Sequence, residues 1–173
     1  MKRVTGLIAV FVVGLAVVGL AVAGANRNWS QHANGAMEVP ARDSQGQAQL
    51  ILHLAPDGDS LDYKLIASNI ENVTQAHIHQ GPADGTGPIV VWLFPGIAPP
   101  ANPGGAGRHN GVLREGTFTA ANFIGPLAGK SAADLIALMR SGGVYVNVHT
   151  SDGVDPPNTG PGDFPGGEIR GQI

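Results

Sequence analysis

The chain has 173 residues, with 10 basic and 13 acidic side chains, a formal charge of −3 and no cysteine. The acidic balance argues against nucleic acid as a partner, because binding there depends on Lys and Arg neutralising phosphates, and the lack of cysteine excludes lipoprotein modification and disulfide bonds. The 26 glycines and 13 prolines are typical of short strands joined by turns.

Residues 1–25 have the layout of a secretory signal peptide. Lys2 and Arg3 precede an apolar run from Leu7 to Ala23, which small residues follow. The run is close to the roughly 18 to 20 apolar residues that span a bilayer, so an uncleaved N-terminal anchor is the alternative. We therefore expect a secreted or periplasmic protein in which residues 26–173 form a single domain. Membrane contact is expected only through an uncleaved leader.

The first half of the domain predicts short antiparallel strands. After a turn-rich start, "QAQLILHLAPDGDSLDYKLIAS", residues 47–68, is typical of a hairpin, because apolar residues alternate on both sides of the "APDG" turn. "PIVVWLF", residues 88–94, indicates a buried strand. Residues 95–111 are rich in Gly, Pro and Ala and predict a long surface loop.

The second half adds one short helix and two more strands. Ser131 can cap a helix that ends at Arg140, with Asp134 in its first turn. "VYVNVHT", residues 144–150, and "GGEIRGQI", residues 166–173, alternate as half-buried strands do. The pattern predicts an all-β fold, an antiparallel Greek-key sandwich or barrel with one short helix.

A pair of histidines marks the strand "VTQAHIHQ", residues 73–80. Because side chains alternate along a strand, His77 and His79 share the polar face, about 7 Å apart. His149 lies on the polar face of its own strand and is the natural third ligand of a metal ion. Imidazole ligands without a thiolate suit copper first and zinc second.

Asn147, Glu168 and Arg170 are expected on the same outward faces. With the three histidines they predict a polar surface patch that could bind a ligand. The alternative is structural, because a His-X-His pair on a sheet surface is common by chance. In that interpretation Asn147 and Glu168 form cross-strand polar pairs, and Arg170 is a solvated partner of Glu168 or of another carboxylate.

Four segments resemble blocks of the chordin-type (CHRD) domain. They are "ANGAMEVPA" (33–41), "AHIHQGPADGTGPIVVWL" (76–93), "SGGVYVNVHT" (141–150) and "FPGGEIRGQI" (164–173). The resemblance runs from Ala33 to Ile173 and implies a secreted, single-domain protein. Bacterial members of that family are typically secreted proteins of unassigned biochemical role, while the animal namesake uses such domains in an extracellular protein that binds growth factors.

A more distant similarity of layout is to copper/zinc superoxide dismutases, carried by "AHIH", "VNVH" and "GGEIRGQI" in that order. It implies that His77, His79 and His149 are copper ligands and that Arg170 guides an anion. This chain departs from that pattern, because no histidine stands at the place of the ligand that bridges copper and zinc. The subloop disulfide also cannot form without cysteine.

Three functional hypotheses follow. The first is a secreted CHRD-domain binding module with a histidine-based metal or ligand site, copper being the first ion to test. The second is an extracellular protein-interaction or matrix module that binds no metal, its partner an unknown extracellular protein or small ligand. The third is a superoxide-dismutase-like copper enzyme in which Arg170 attracts the anion. Enzymatic activity is the less expected outcome.

Overall fold

The computed structural model describes residues 26–96 and 106–173, which form eight strands and one α-helix. The strands are β1 (Asn28–Asn34), β2 (Gln47–Leu54), β3 (Ser60–Glu71), β4 (Val73–Gln80), β5 (Ile89–Phe94), β6 (Arg108–Thr119), β7 (Val144–Thr150) and β8 (Ile169–Gln172), and the helix is α1 (Ala132–Arg140). Short 3-10 turns lie at Gly35–Met37, Ala120–Asn122 and Gly125–Leu127. The predicted signal peptide lies outside the described residues.

All eight strands belong to one antiparallel sheet with the order β5-β4-β7-β8-β1-β2-β3-β6. The end strands β5 and β6 approach each other, so the sheet is a nearly closed barrel. Around the barrel β7 lies beside β4, and β4 is followed by β5 and β6, which is the order of a Greek key. The predicted all-β Greek-key class with one short helix is confirmed.

Alternating apolar side chains fill the inside of the barrel. Leu50 of β2 pairs with Leu65 of β3 and Leu52 pairs with Tyr63, in the register of the predicted hairpin, which is confirmed. Leu50, Leu52 and Leu65 are at most 1% exposed. Each such side chain stabilises the fold by roughly 1.5–3 kcal/mol through burial. Helix α1 buries one face against the same core.

Helix α1 begins at the predicted cap. The Ser131 side chain accepts from the backbone N–H of Asp134, and the Asp134 carboxylate accepts from the backbone N–H of Ser131, which together make a capping box. Asp134 also has a lowered pKa, because the Ser131 hydroxyl and N–H favour its charged form.

Two sequence predictions are wrong. Residues 28–34, expected to be turn-rich, form β1, which pairs with β2 from Asn28 opposite His53 to Asn34 opposite Gln47. Residues 108–111, expected in a surface loop, begin β6, which pairs with β3; residues 97–105 lie outside the described part. Both strands are rich in polar residues, so their backbone pairing with the hairpin, rather than an apolar pattern, determines their conformation.

Across the described ranges, no helix combines the length and the apolar character needed to cross a membrane.

Candidate metal centre

Three histidines from two neighbouring strands converge outside the barrel core. His77 and His79 lie on β4, and His149 lies on β7, which pairs antiparallel with β4. The Nδ1 atom of His77 is 3.3 Å from Nε2 of His79 and 3.2 Å from Nε2 of His149. The potential ligand atoms of the three residues all lie within 4.8 Å of one another.

Two backbone carbonyls orient two of these imidazoles. Nδ1 of His79 is 2.9 Å from the Gly87 oxygen, and Nδ1 of His149 is 2.9 Å from the Pro165 oxygen. A carbonyl only accepts hydrogen bonds, so each Nδ1 carries the proton and each Nε2 presents a lone pair to the centre of the cluster. Hydrogen bonds of this kind orient the histidine ligands of metal ions.

His77 is held by packing rather than by a carbonyl. Its ring meets Trp92 edge to face, with the centroids 4.1 Å apart. Its Nε2 atom is buried and has no hydrogen-bond partner among the described residues. The other nitrogen, Nδ1, is therefore the one that faces His79 and His149.

The cluster is buried and uncharged. His77, His79 and His149 are 1%, 8% and 7% exposed. Burial, with a smaller effect of the neighbouring histidines, lowers the pKa of His77 to about 2. Burial also lowers the pKa of His149 to about 4, and it lowers that of His79. All three imidazoles are neutral near pH 7, and the neutral form is the one that binds a metal.

The expectation of a polar surface patch is wrong. Asn147, Glu168 and Arg170 are 3%, 0% and 1% exposed, as buried as the histidines. Their strands alternate as predicted, but loops cover this face of the sheet. The loop between β4 and β5 contacts His79, and the loop between β7 and β8 contacts His149. The alternation of side chains along a strand indicates which of them point away from the barrel core, but it does not indicate whether loops cover them.

Asn147 and Glu168 have separate hydrogen-bond partners. The Asn147 amide donates to the Glu38 carboxylate, and burial raises the pKa of Glu38. The Glu168 carboxylate accepts from the hydroxyls of Ser44 and Thr150 and from a backbone N–H. Glu168 therefore connects the segment before β2 to β7.

Arg170 is bound by the loop that follows β4. Its guanidinium donates to the carbonyl oxygens of Gly85, at 2.7 Å, and of Pro82, and to the side chain of Gln172 at 3.2 Å. It also lies over the Tyr145 ring, 3.4 Å from the centroid. Among the described residues it forms no salt bridge, so the alternative in which Arg170 is a solvated partner of Glu168 or of another carboxylate is wrong.

Tyr145 and Gly87 belong to the site but were not predicted from the sequence. Tyr145 of β7 lies between β4 and β8, stacked on His79 with the ring centroids 4.9 Å apart and 6° between their planes. Its hydroxyl accepts from the Gly87 N–H at 3.1 Å. The only sign of Gly87 in the sequence is the glycine-rich run directly after the two histidines. A backbone carbonyl that accepts a hydrogen bond from a histidine can belong to any residue type, so the sequence does not identify it.

A model of the CHRD domain matches residues 29–173. The chain belongs to the CHRD domain family. The match spans the barrel, α1 and all three histidines, and it confirms the resemblance found in the sequence. CHRD domains are extracellular modules. No curated protein and no solved structure matches the chain.

Within the described part of this CHRD domain, His77, His79 and His149 are the one group of three His, Asp or Glu side chains that converges closely enough to hold a metal ion. Its chemistry is that of three neutral nitrogen donors with no carboxylate among them.

Proposed function

We propose that this CHRD domain is a secreted binding module that holds one copper ion between His77, His79 and His149. One observation carries the proposal. Three neutral imidazoles meet at one point, and backbone carbonyls fix the tautomers of two of them so that their lone pairs face that point.

The spacing of the nitrogens suits a small cation. Metal–nitrogen bonds of about 2.0–2.1 Å in a tetrahedral site place ligand nitrogens about 3.3 Å apart. The separations from His77 Nδ1 to the other two rings are 3.3 Å and 3.2 Å. Three protein ligands would leave one position for an external ligand, as in metal sites that react or exchange.

The donor set favours copper over zinc. Imidazole binds both ions, but the affinity of a nitrogen site is higher for Cu²⁺ than for Zn²⁺ in the general order of divalent metals. A structural zinc site usually includes thiolates, and this chain has no cysteine. The predicted leader and the family's extracellular setting support a location outside the cytoplasm.

A module that binds no metal is the second candidate. Nδ1 of His77 lies within hydrogen-bond distance of Nε2 on both neighbouring rings, so a proton there can join two imidazoles without an ion. The cluster would then order the sheet, and the partner would be an extracellular protein or small ligand.

Superoxide dismutation receives less support from the geometry. An anion-guiding arginine needs donors that face solvent, but Arg170 is 1% exposed and both of its terminal nitrogens donate to protein carbonyls.

Elemental mass spectrometry tests the proposal. The protein is exposed to Cu²⁺ or Zn²⁺, desalted, and compared with a His77→Ala, His149→Ala double variant. We expect about one copper per wild-type chain and none in the double variant. His53→Ala is the control, since His53 is exposed on β2 and its ring bonds only the Asn28 side chain among the described residues. Equal copper in the wild type and the double variant would refute the proposed site.

A further inference from the structure

The connection from β4 to β5 begins with Gly81–Gly87, the 81–87 segment. Three side chains from other strands hold it. Gln172 donates to the Gly81 oxygen at 3.0 Å, and Tyr145 accepts from the Gly87 N–H at 3.1 Å. Arg170 joins the middle of the segment by donating to the oxygens of Pro82 and Gly85.

The 81–87 segment has little packing of its own. Pro82, Ala83, Asp84 and Thr86 are exposed, and no residue of the segment is fully buried. Its internal backbone bond, from Gly85 N–H to the Pro82 oxygen, is long at 3.4 Å. A segment without buried apolar side chains depends on hydrogen bonds from its surroundings to keep one conformation.

Arg170 is a rigid support for these bonds. It lies on β8, opposite Asn147 of β7 and Asn34 of β1, so both neighbouring strands fix its backbone. The ring of Tyr145 fixes its guanidinium from one side. The planar fork of an arginine can hold two carbonyls at once, which an ammonium group does with less precision.

The segment ends at the carbonyl that orients His79. The Gly87 oxygen accepts the Nδ1–H of His79, so the position of the segment determines which His79 nitrogen carries the proton. We infer that Arg170 is a positioning residue for the histidine site: it holds the 81–87 segment so that Gly87 keeps the Nε2 lone pair of His79 facing His77 and His149. Its effect on copper rests on the proposed function, whereas its effect on the His79 tautomer does not.

Two variants separate this role from a general effect on folding. Arg170→Lys keeps the charge but loses the bidentate fork, and Tyr145→Phe keeps the ring but removes the acceptor for the Gly87 N–H. Arg114→Lys is the matched control, because Arg114 is exposed on β6. Circular dichroism shows which variants fold.

The first readout needs no metal. Long-range ¹H–¹⁵N NMR of the metal-free protein reports which nitrogen of each histidine is protonated. We expect His79 to be protonated at Nδ1 in the wild type and Arg114→Lys, and to populate both tautomers in Arg170→Lys and Tyr145→Phe. The second readout is the Kd for Cu²⁺, which we expect to rise about 10- to 100-fold in these two variants.

The outcomes distinguish the two proposals. An unchanged His79 tautomer in folded Arg170→Lys and Tyr145→Phe would overturn the inference even if the wild type binds copper. A shifted tautomer in a protein that binds no copper would support the positioning role while refuting the proposed function. If Arg170→Lys does not fold, Arg170→Gln, which keeps a neutral side-chain donor in place of the guanidinium fork, takes its place and its His79 tautomer decides the inference.

Discussion

The imidazole of His77 meets the indole of Trp92 edge to face across β4 and β5, with their ring centroids 4.1 Å apart. Trp92 is half-buried and lines a surface cleft at the open seam of the barrel. Since Nδ1 of His77 faces the other two histidines, an ion bound there would be separated from the indole by a single imidazole ring. The fluorescence of Trp92 can therefore be used to detect metal binding at the three histidines.

We predict that Cu²⁺ quenches the fluorescence of Trp92, because electron transfer to Cu²⁺ is efficient through one intervening ring. The chain has two tryptophans, and Trp29 lies on β1, which is separated from β4 by two strands. Titration with Cu²⁺ should quench most of the emission of Trp29→Phe, which keeps Trp92. It should quench little of the emission of Trp92→Phe, which keeps Trp29. Equal quenching of the two variants would indicate that copper binds elsewhere.

We predict that Gly87→Ala damages the site. A Cβ at Gly87 would lie 1.7 Å from the Gln80 oxygen, so the backbone must move. The movement displaces the carbonyl that bonds His79. We expect the free energy of unfolding to fall by roughly 1–3 kcal/mol and the Kd for Cu²⁺ to rise about 10-fold or more, measured by urea unfolding and by titration.

Gly166→Ala is the control for that prediction. Gly166 is exposed in the loop before β8, and the nearest atom to its added Cβ is 4.0 Å away. Its stability and copper affinity should stay at the wild-type values. If Gly87→Ala behaved as Gly166→Ala does, the tight packing at Gly87 would have no functional consequence.

The sequence was sufficient to predict the meeting of the histidines but not their surroundings. His77 and His79 are two residues apart on a strand, so alternation alone places them on one face. His149 could be chosen as their partner because its strand alternates in the same sense. The pairing of β7 with β4 itself was not predictable, since it depends on long-range contacts that no local pattern encodes.

The burial of the site could not be predicted because loops produce it. Glycine- and proline-rich segments give no periodic signal, and their contacts with His79 and His149 are made by backbone carbonyls. Strands β1 and β6 were not predicted for a similar reason, because their many polar residues show no clear alternation of polar and apolar side chains. Local patterns thus predicted the apolar strands and the capped helix, whereas the polar strands and loops follow from tertiary pairing.

Glu168→Ala should destabilise the domain strongly. The carboxylate is fully buried, and it accepts from Ser44, Thr150 and Gly162. Its removal leaves buried donors without an acceptor, at about 1–3 kcal/mol for each unsatisfied group. We expect a loss of roughly 3 kcal/mol in urea unfolding. Glu115→Ala, which breaks a surface ion pair with Lys64, should change stability by less than about 1 kcal/mol. Equal losses would contradict the structural role of Glu168.

The metal-free protein should lose stability in mild acid because of the buried histidines. Above pH 6.5 His149 is neutral in both the folded and the unfolded chain. As the pH falls from 6.5 to about 4, the unfolded chain binds a proton that the folded chain does not, since burial lowers the pKa of His149 to about 4. The free energy of unfolding should therefore fall by up to about 1.4 kcal/mol per pH unit for this residue. His77 and His79, whose pKa values burial also lowers, act in the same direction.

Urea unfolding of the chelator-treated protein at pH 7.0, 5.5 and 4.5, all chosen as test conditions, measures this dependence. His149→Gln should show a smaller loss between these pH values than the wild type, while His53→Gln, altered at an exposed position, should match it. Glu38 acts in the opposite direction, because burial raises its pKa and the folded chain protonates first, but the comparison between variants cancels its contribution. If the free energy of unfolding of the wild type and of His149→Gln depended on pH in the same way, His149 would not bind its proton differently in the folded and unfolded chains. That result would contradict the burial of its imidazole.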